Sequence, residues 1–454
     1  MAMAERDESM ERLRIRAAGE KNGDSVSSPI SISLLFTLLA IFLSPFDVFE
    51  LNPMKTEVET GYTRLNISAF DFMVLASFVF LCLERRKREL NVEIPFIWYL
   101  LFLIFGLIST FRAVNMVESL KHIIQYGYFF FLVLPLVSAL VDDERKLRLS
   151  AFALMSGLVL HLGASIVLYS TLGRVDEYQE VSARSEFYGV GGLTRTVLVG
   201  LPLVLAFMKK EFSLEPFGVK TVLLMALAVV FGTMGVLTYN RSATGALAIG
   251  LLFVLVFPVS AKADWKSTGV RLIAVVSGGA ILLLFFHEWL LPEELIRQYG
   301  KVFSEDPLSD TTFRWRHVAN LGVIYSWRDT FFWGWGHDTP NIGARMVDYM
   351  TEAADIGVPH NVYITWWAGA GFLGMVFMLL ALWRTVGPAL KVSSLSRDAG
   401  HAQVLLVGLL GAYLSLLGHY MLHASVFRRL DWTVVALIFC AVSLIERKNR
   451  KALN

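Results

Sequence analysis

Long apolar runs separated by short polar segments recur along almost the whole chain. A transmembrane helix needs roughly 17–25 mostly apolar residues to cross a hydrocarbon core about 30 Å thick. Runs of that size lie at 29–46, 67–83, 95–111, 123–141, 149–171, 193–208, 220–239, 243–260, 270–290, 361–383, 402–424 and 430–446. The pattern therefore predicts an all-α, polytopic membrane protein of about twelve transmembrane helices.

The composition favours a membrane protein over the ordinary soluble class. Hydrophobic residues make up 55% of the 454 residues and charged residues 18%, whereas a typical soluble domain has about 25% charged residues. Residues 1–28 are polar, carry both signs of charge and lack an apolar stretch followed by a cleavage site. They are therefore predicted to form a cytoplasmic tail rather than a signal peptide.

The orientation follows from the basic residues between the runs, because lysine and arginine near the ends of spans tend to stay in the cytoplasm. Basic clusters that fall on the same side as the N-terminal tail lie at 84–88, 142–148, 209–212, 384–397 and 447–451. Both termini are therefore predicted to be cytoplasmic. The resulting layout has nine spans within 29–290, a large periplasmic loop at 291–360 between spans nine and ten, three spans within 361–446 and a cytoplasmic tail at 447–454.

The predicted outer side is rich in arginine and poor in lysine. Lys55, Lys121 and Lys301 are the lysines there, and arginines far outnumber them. Either residue type would set the topology, but arginine presents a planar fork that binds phosphate oxygens in pairs. The bias points to a phosphate or pyrophosphate ligand, with lipid headgroups or acidic loop residues as the alternative partners of these arginines.

The large loop is predicted to have structure of its own. Residues 309–327 carry an N-cap candidate and apolar positions at helical spacing, which predicts an amphipathic helix. Residues 328–340 mix aromatic side chains with Gly334 and Gly336. Because tryptophan favours the membrane interface, this turn is expected to lie on the bilayer surface.

The sharpest chemical signal is His360-Asn361, at the start of the tenth predicted span. Asn361 is a good helix N-cap, and a histidine at the outer interface can act as a base, an acid or a hydrogen-bond donor. Nine residues separate Asn361 from Gly371, and Gly374 follows. This string resembles the histidine-containing signature of the O-antigen ligase family of bacterial inner-membrane proteins. The alternative for the glycines is close helix packing, since Ala370 and Gly374 form a small-xxx-small pair.

Several arginines fit the same resemblance. Arg195 lies at the outer mouth of a predicted span, Arg241 precedes a small-residue helix, and Arg314 starts a pattern of an arginine, a helix and a Gly-aromatic-Gly turn. In this family such arginines would hold a pyrophosphate while its negative charge develops. The resemblance implies that His360 and Arg241 are catalytic and that Arg195, Arg314, Arg316 and Asn361 bind the substrate.

The resemblance implies a glycosyltransferase that moves a glycan from undecaprenyl pyrophosphate to an acceptor hydroxyl on the periplasmic face of the bacterial inner membrane. Lipid A core, another glycan or a protein side chain would supply that hydroxyl. The sequence has no Walker A loop, dinucleotide fingerprint or Asp-x-Asp pair, and the donor carries its own activation. No cofactor, nucleotide or metal is therefore expected. Membrane lipids are expected partners, and nucleic acid is not.

Three other interpretations stay open. A polymerase of the same superfamily shares the fold and the use of arginines. A polysaccharide transporter or flippase would also have about twelve spans, although transporters commonly show two repeated halves and no internal repeat is evident here. A non-catalytic scaffold for envelope assembly is the third.

A histidine pair lies four residues apart in the eleventh apolar run, at His419 and His423. This spacing could bridge a metal ion, but no third ligand follows at a sensible distance along the chain. The pair is therefore interpreted as a source of hydrogen bonds between packed helices.

Overall fold

The regular structure of the described part of the chain is helical. The computed structural model describes residues 30–46, 67–84, 93–172, 190–214, 218–237, 241–257, 311–346, 359–395, 400–423 and 428–453. Its helices are α1 (Ile32–Leu43), α2 (Ala69–Leu83), α3 (Phe96–Thr110), α4 (Met116–Leu140), α5 (Glu144–Leu172), α6 (Val190–Leu214), α7 (Val219–Leu237), α8 (Arg241–Val256), α9 (Thr311–Tyr325), α10 (Trp327–Thr330), α11 (Thr339–Met346), α12 (Val362–Leu395), α13 (His401–Tyr420) and α14 (Arg429–Leu453).

These helices agree with the apolar pattern. Each predicted run overlaps one of them except 270–290, which lies outside the described residues. Among the described residues, the segments long and apolar enough to cross a membrane are Met116–Leu140, Glu144–Val167, Gly192–Glu211, Val362–Ser393 and His401–Tyr420. The prediction of an all-helical, polytopic membrane protein is confirmed. The number of spans, the domain boundaries and the orientation stay predictions.

Helices α6 and α13 form the centre of the bundle. In their membrane-length segments 83% and 78% of the residues are buried, against 44% to 56% in the other three. Helix α13 packs against α6, α8 and α14. Gly411 permits this close approach, because a Cβ there would lie 2.9 Å from the carbonyl oxygen of Gly250 in α8. Residues on α6 and α13, like those in the first half of α14, are therefore well enclosed.

The helices share two ends, which we call the site end and the opposite end. Arg195 near the start of α6, Tyr420 at the end of α13 and Asp431 near the start of α14 meet at the site end. At the opposite end, the Glu84 carboxylate accepts hydrogen bonds from the backbone N–H and the hydroxyl of Ser33, at 3.2 and 3.0 Å. Polar groups thus gather at both ends, as expected for a bundle whose middle lies in lipid.

Helix α12 is interrupted at Gly371, which has φ 83° and ψ 165°. This backbone conformation is essentially restricted to glycine. Carbonyl groups in the turn before the interruption accept hydrogen bonds from the backbone N–H groups of Trp335, at 2.6 Å, and Gly336, at 3.1 Å. Residues 331–338, which we call the docking segment, thereby satisfy backbone groups that the interrupted helix leaves open.

The docking segment lies in a groove between α3, α4 and α12. Trp335, His337 and Asp338 are buried, and the Asp338 carboxylate accepts the backbone N–H of Asn115 at 2.6 Å. Burial lowers the pKa of His337 to about 3, with a smaller contribution from His122, so the His337 ring is neutral. Phe332 and Trp333 of the same segment are exposed. The turn therefore buries one part of its side chains against helices and exposes another, and its position at the bilayer surface stays a prediction.

The loop 291–360 is otherwise described only in part. The predicted helix at 309–327 corresponds to α9, Thr311–Tyr325, and is confirmed as a helix. Val318 and Val323 are buried on it, whereas Arg314 is exposed. Residues 291–310 and 347–358 lie outside the described residues.

Replacing Gly371 by alanine is expected to destabilise the protein. A Cβ there would lie 2.6 Å from the carbonyl oxygen of Phe332, and the backbone conformation alone costs another residue about 1–3 kcal/mol. Thermal unfolding of the detergent-solubilised variant should show a lower midpoint than wild type. Gly232→Ala is the control, because its Cβ would meet no atom of the described residues within 4 Å outside its own helix turn. Equal midpoints for the two variants would contradict this role of Gly371.

Candidate active site

A buried arginine forms the centre of the site end. Arg195 is 3% exposed, and its Nε donates a hydrogen bond to the Tyr420 hydroxyl at 3.3 Å. The same Nε lies 3.9 Å from the Asp431 carboxylate, and the Tyr420 hydroxyl donates to that carboxylate. A charge inside a helical bundle needs such a partner, because an uncompensated charge in a membrane costs several kcal/mol. We call these three residues the Arg195 network.

Asp431 is held in place by its own helix and by the helix beside it. Its carboxylate accepts the backbone N–H of Arg428 at 2.7 Å, which satisfies an open donor at the start of α14. The next residue, Arg429, donates from Nε and Nη2 to Asp71 in α2, at 3.0 and 2.7 Å. Helix α14 is therefore anchored at the site end by two ion pairs, Arg429 with Asp71 and Asp431 with Arg195. Because Asp431 is held in this way, the Arg195 guanidinium is held in one direction.

The histidine pair belongs to the same cluster. The rings of His419 and His423 lie 4.8 Å apart between centroids. Nδ1 of His419 lies 3.4 Å from the Ser242 hydroxyl in α8, so the interpretation as a hydrogen bond between packed helices holds for His419. His423 follows the end of α13 and is partly exposed.

The charges around His423 show which residues the fold brings together. The pKa of His423 is lowered to about 2, and burial is the largest cause. Electrostatic interactions with His419, Arg195, Arg316 and His360 lower it further. The His423 ring is therefore neutral at physiological pH. Side chains from α6, α9, α13 and the start of α12 therefore lie within electrostatic range of His423. Three of the residues predicted as site residues, Arg195, Arg316 and His360, are among them.

His360 and Asn361 lie where the sequence predicts the start of a span. The Asn361 side-chain oxygen accepts the backbone N–H groups of Tyr363 and Ile364, at 2.9 and 3.3 Å, which confirms the predicted N-cap. The Tyr363 hydroxyl donates to the carbonyl oxygen of Leu417 in α13 at 2.8 Å. Since His360 directly precedes this cap, the cap and the Tyr363 contact determine its position beside α13.

The two arginines of α9 are placed differently. Nη1 of Arg316 donates to the carbonyl oxygen of Leu422, at 3.3 Å, beside the histidine pair. Arg314 is exposed. Two residues correspond to about 200° of rotation around a helix, so the two side chains leave opposite sides of α9. The structure therefore brings Arg316, rather than Arg314, into the cluster.

Arg241 is the first residue of α8, and its neighbour Ser242 contacts His419. The side chain of Arg241 lies outside what the structure describes. Helices α6, α8, α12 and α14 all begin at the site end, and each N-terminus contributes a partial positive charge. Together with the arginines, they favour an anion such as a phosphate group.

Tyr420 and Asp431 are not among the site residues predicted from the sequence. Both are fully buried. The available signal was an acidic residue at the start of the last apolar run, where a charge needs a partner to be tolerated. Within the described residues no group of three or more His, Cys, Asp or Glu side chains is arranged to hold a metal ion.

Comparison with known proteins supports the resemblance carried by the His360 motif. A family model described as O-antigen ligase matches residues 226–379. No curated protein and no solved structure matches the chain. The resemblance to the O-antigen ligase and polymerase superfamily is thereby confirmed for this region. The match includes Arg241, Arg314, Arg316, His360 and Asn361, whereas Arg195, Tyr420, His423 and Asp431 lie outside it.

Replacing Asp431 by asparagine is expected to destabilise the protein strongly. The substitution removes the negative charge next to Arg195, and loss of one partner of a buried ion pair costs about 3–5 kcal/mol. The free energy of unfolding in mixed micelles measures this loss. Glu144→Gln is the control, because its Arg148 partner and Glu144 itself are exposed and such a pair contributes about 1 kcal/mol or less. A similar loss in both variants would contradict the role of Asp431.

Proposed function

We propose that this chain, whose residues 226–379 carry an O-antigen ligase domain, transfers a glycan from a polyprenyl pyrophosphate to an acceptor hydroxyl at its site end. The family match indicates a glycosyltransferase of the ligase or polymerase type. The donor, the acceptor and the residue roles are the parts that we propose.

The observation that carries the proposal is that cationic and imidazole groups from separate helices lie around the end of α13. Arg195 of α6 donates to the Tyr420 hydroxyl, and Arg316 of α9 donates to the carbonyl oxygen of Leu422. His360 precedes α12, whose Tyr363 donates to the carbonyl oxygen of Leu417. Such a concentration of positive charge at one end of a membrane bundle is suited to a lipid-linked anion that lies at the same depth.

The arginines would stabilise the leaving group. When the bond between the anomeric carbon and the pyrophosphate oxygen breaks, negative charge accumulates on the pyrophosphate. Arg195 is already oriented by Tyr420 and Asp431, so little reorganisation is needed when that charge develops. Arg316 and Arg241 would complete the binding site from α9 and α8, and the N-terminus of α12 would add a favourable dipole.

His360 would accept the proton of the attacking hydroxyl. The acceptor oxygen forms the new bond to the anomeric carbon, its proton passes to His360, and the polyprenyl pyrophosphate departs with the bonding electron pair. His360 suits this role because it is partly exposed at the start of α12, where an acceptor can approach. His423 lies beside His419 with 4.8 Å between the ring centroids, and we assign it to positioning.

The acceptor distinguishes a ligase from a polymerase. We propose lipid A core as the acceptor, as the family resemblance implies. We propose the periplasmic face as the site of transfer, because basic residues such as Lys146, Lys209 and Arg447 lie at the opposite end. Glycan chain extension on a second lipid-linked glycan, without transfer to lipid A core, would identify a polymerase instead. Movement of the donor across the bilayer without any covalent product would favour a transporter.

Substitution of Arg316 should reduce transfer far more than substitution of Arg314. We expect Arg316→Gln to lower kcat/KM about 10- to 100-fold, because it removes a charge-assisted hydrogen bond worth roughly 1.5–3 kcal/mol. The assay uses purified protein in liposomes with a polyprenyl-pyrophosphate glycan, lipid A core and a chelator, without nucleotide. Arg314→Gln is the matched variant on the same helix. A larger loss for Arg314→Gln would reverse the assignment of the two arginines.

Loss of His360 should abolish most of the transfer without unfolding the protein. General base catalysis typically contributes about 10²–10⁴-fold, so His360→Ala should lower kcat by that order in the same assay. Asn361→Ala serves as a structural comparison, because it removes the α12 cap and should mainly lower the unfolding midpoint. Full activity of His360→Ala in correctly folded protein would rule out the proposed mechanism.

A further inference from the structure

The opposite end of the bundle contains a cavity of about 310 Å³ that the proposed chemistry does not use. Helices α5, α6 and α13 form it. Its apolar lining comes from Leu147, Ala151, Phe152, Met155, Phe207 and Leu405. Glu144, Arg148 and His401 lie at its polar end. The cavity therefore has a charged end and an apolar body, and we call it the basal groove.

Cationic groups from different helices lie at the polar end of the groove or directly beside it. Arg148 belongs to α5, and Nζ of Lys210 in α6 lies 3.4 Å from Nδ1 of His401 in α13. Lys210 is also within electrostatic range of Arg148. Residues that only set the topology need not meet, because they act by staying on one side of the membrane. The position of Arg148 in the lining, and of Lys210 against the lining residue His401, is the first argument for a ligand.

The net charge of the surroundings is positive. Glu144 forms an ion pair with Arg148 at 2.9 Å, so its charge is compensated within the groove. A second cavity, also about 310 Å³, adjoins the first through Glu144 and Ala402 and is lined by Arg447, Lys448 and Lys451. The acidic side chains of that cavity are Asp142, Asp143 and Glu144, and the two aspartates share Lys146. Glu211 beside Lys210 is a fourth carboxylate. An anion at this end would still meet cations in excess, because six lysine and arginine side chains surround it, namely Lys146, Arg148, Lys210, Arg447, Lys448 and Lys451.

The apolar lining of the groove includes side chains that lie on the same face of α5 as Arg148. Arg148, Phe152 and Met155 follow one another at spacings of four and three residues, so they lie in one line along the helix. The line is about 10 Å long, at 1.5 Å per residue. Phe152 is 73% exposed in the protein alone, and a hydrocarbon chain along this line would cover it.

We propose that the basal groove binds an anionic phospholipid, with its phosphate at Arg148, Lys210 and His401 and an acyl chain against Phe152, Met155 and Phe207. Basic pockets between transmembrane helices commonly recognise anionic headgroups. An inorganic anion would leave the apolar line uncovered, and a zwitterionic lipid would bring a second positive charge to an end that is already cationic. The inference is independent of the transfer reaction at the site end.

The test measures lipid binding to the full chain in a neutral detergent. Phosphatidylglycerol and phosphatidylcholine with identical acyl chains are titrated separately, as is glycerol phosphate without acyl chains, and binding is followed by the thermal unfolding midpoint and by native mass spectrometry. We expect phosphatidylglycerol to bind at least tenfold more tightly than phosphatidylcholine. Equal binding of the two lipids, or equally tight binding of glycerol phosphate, would overturn the proposal.

Variants locate the site. The double substitution Arg148→Gln with Lys210→Gln should remove the preference for the anionic lipid, and Phe152→Ala should weaken binding of both lipids severalfold. Arg384→Gln and Leu83→Ala are matched controls, since they remove one exposed cation and one exposed apolar side chain elsewhere. Phe152 is exposed, so its variant stays informative if the double variant does not fold. Unchanged binding in Phe152→Ala, or equal losses in the controls, would place the lipid elsewhere.

Discussion

The arrangement of the site end depends on one constraint, which is that polar backbone groups inside a membrane protein must find hydrogen-bond partners within the protein. Helix α12 is interrupted at Gly371, and the docking segment supplies the missing partners through Trp335 and Gly336. The interruption and the segment therefore require each other. Since α9 precedes the docking segment and His360 precedes α12, the same hydrogen bonds fix where Arg316 lies relative to His360.

The second constraint on the site end is that the buried charge of Arg195 must be compensated. Arg195 sits in a well-enclosed part of the bundle, where solvation by water is lost, and Tyr420 and Asp431 take over that solvation. Nε of Arg195 lies 3.9 Å from the Asp431 carboxylate, and the Tyr420 hydroxyl is hydrogen-bonded to both groups. A guanidinium held in this way keeps electrostatic attraction for a further anion, which is the property that a pyrophosphate site requires.

Much of the fold was predictable from the sequence, because apolar runs of span length leave few structural choices. The N-cap at Asn361 was predictable for the same local reason. The path of the docking segment was not, since its aromatic residues suggested a surface turn, while its burial depends on hydrogen bonds to a helix that follows it in the chain. Which of Arg314 and Arg316 lies in the cluster could not be predicted, because it depends on the face that α9 turns towards the bundle. The Arg195 network forms only when α6 packs against α13 and α14, and no local sequence pattern predicts that packing.

The position of Asp431 at the start of the last helix has a consequence for biosynthesis. Arg195 enters the membrane early in translation, whereas its acidic partner is made only when the C-terminal helix is synthesised. Until then the arginine must remain near the interface or bind lipid phosphate. The site end of the protein is therefore complete only once α14 has been made, and a ribosome that stops before α14 releases a chain whose central cation lacks the Asp431 carboxylate.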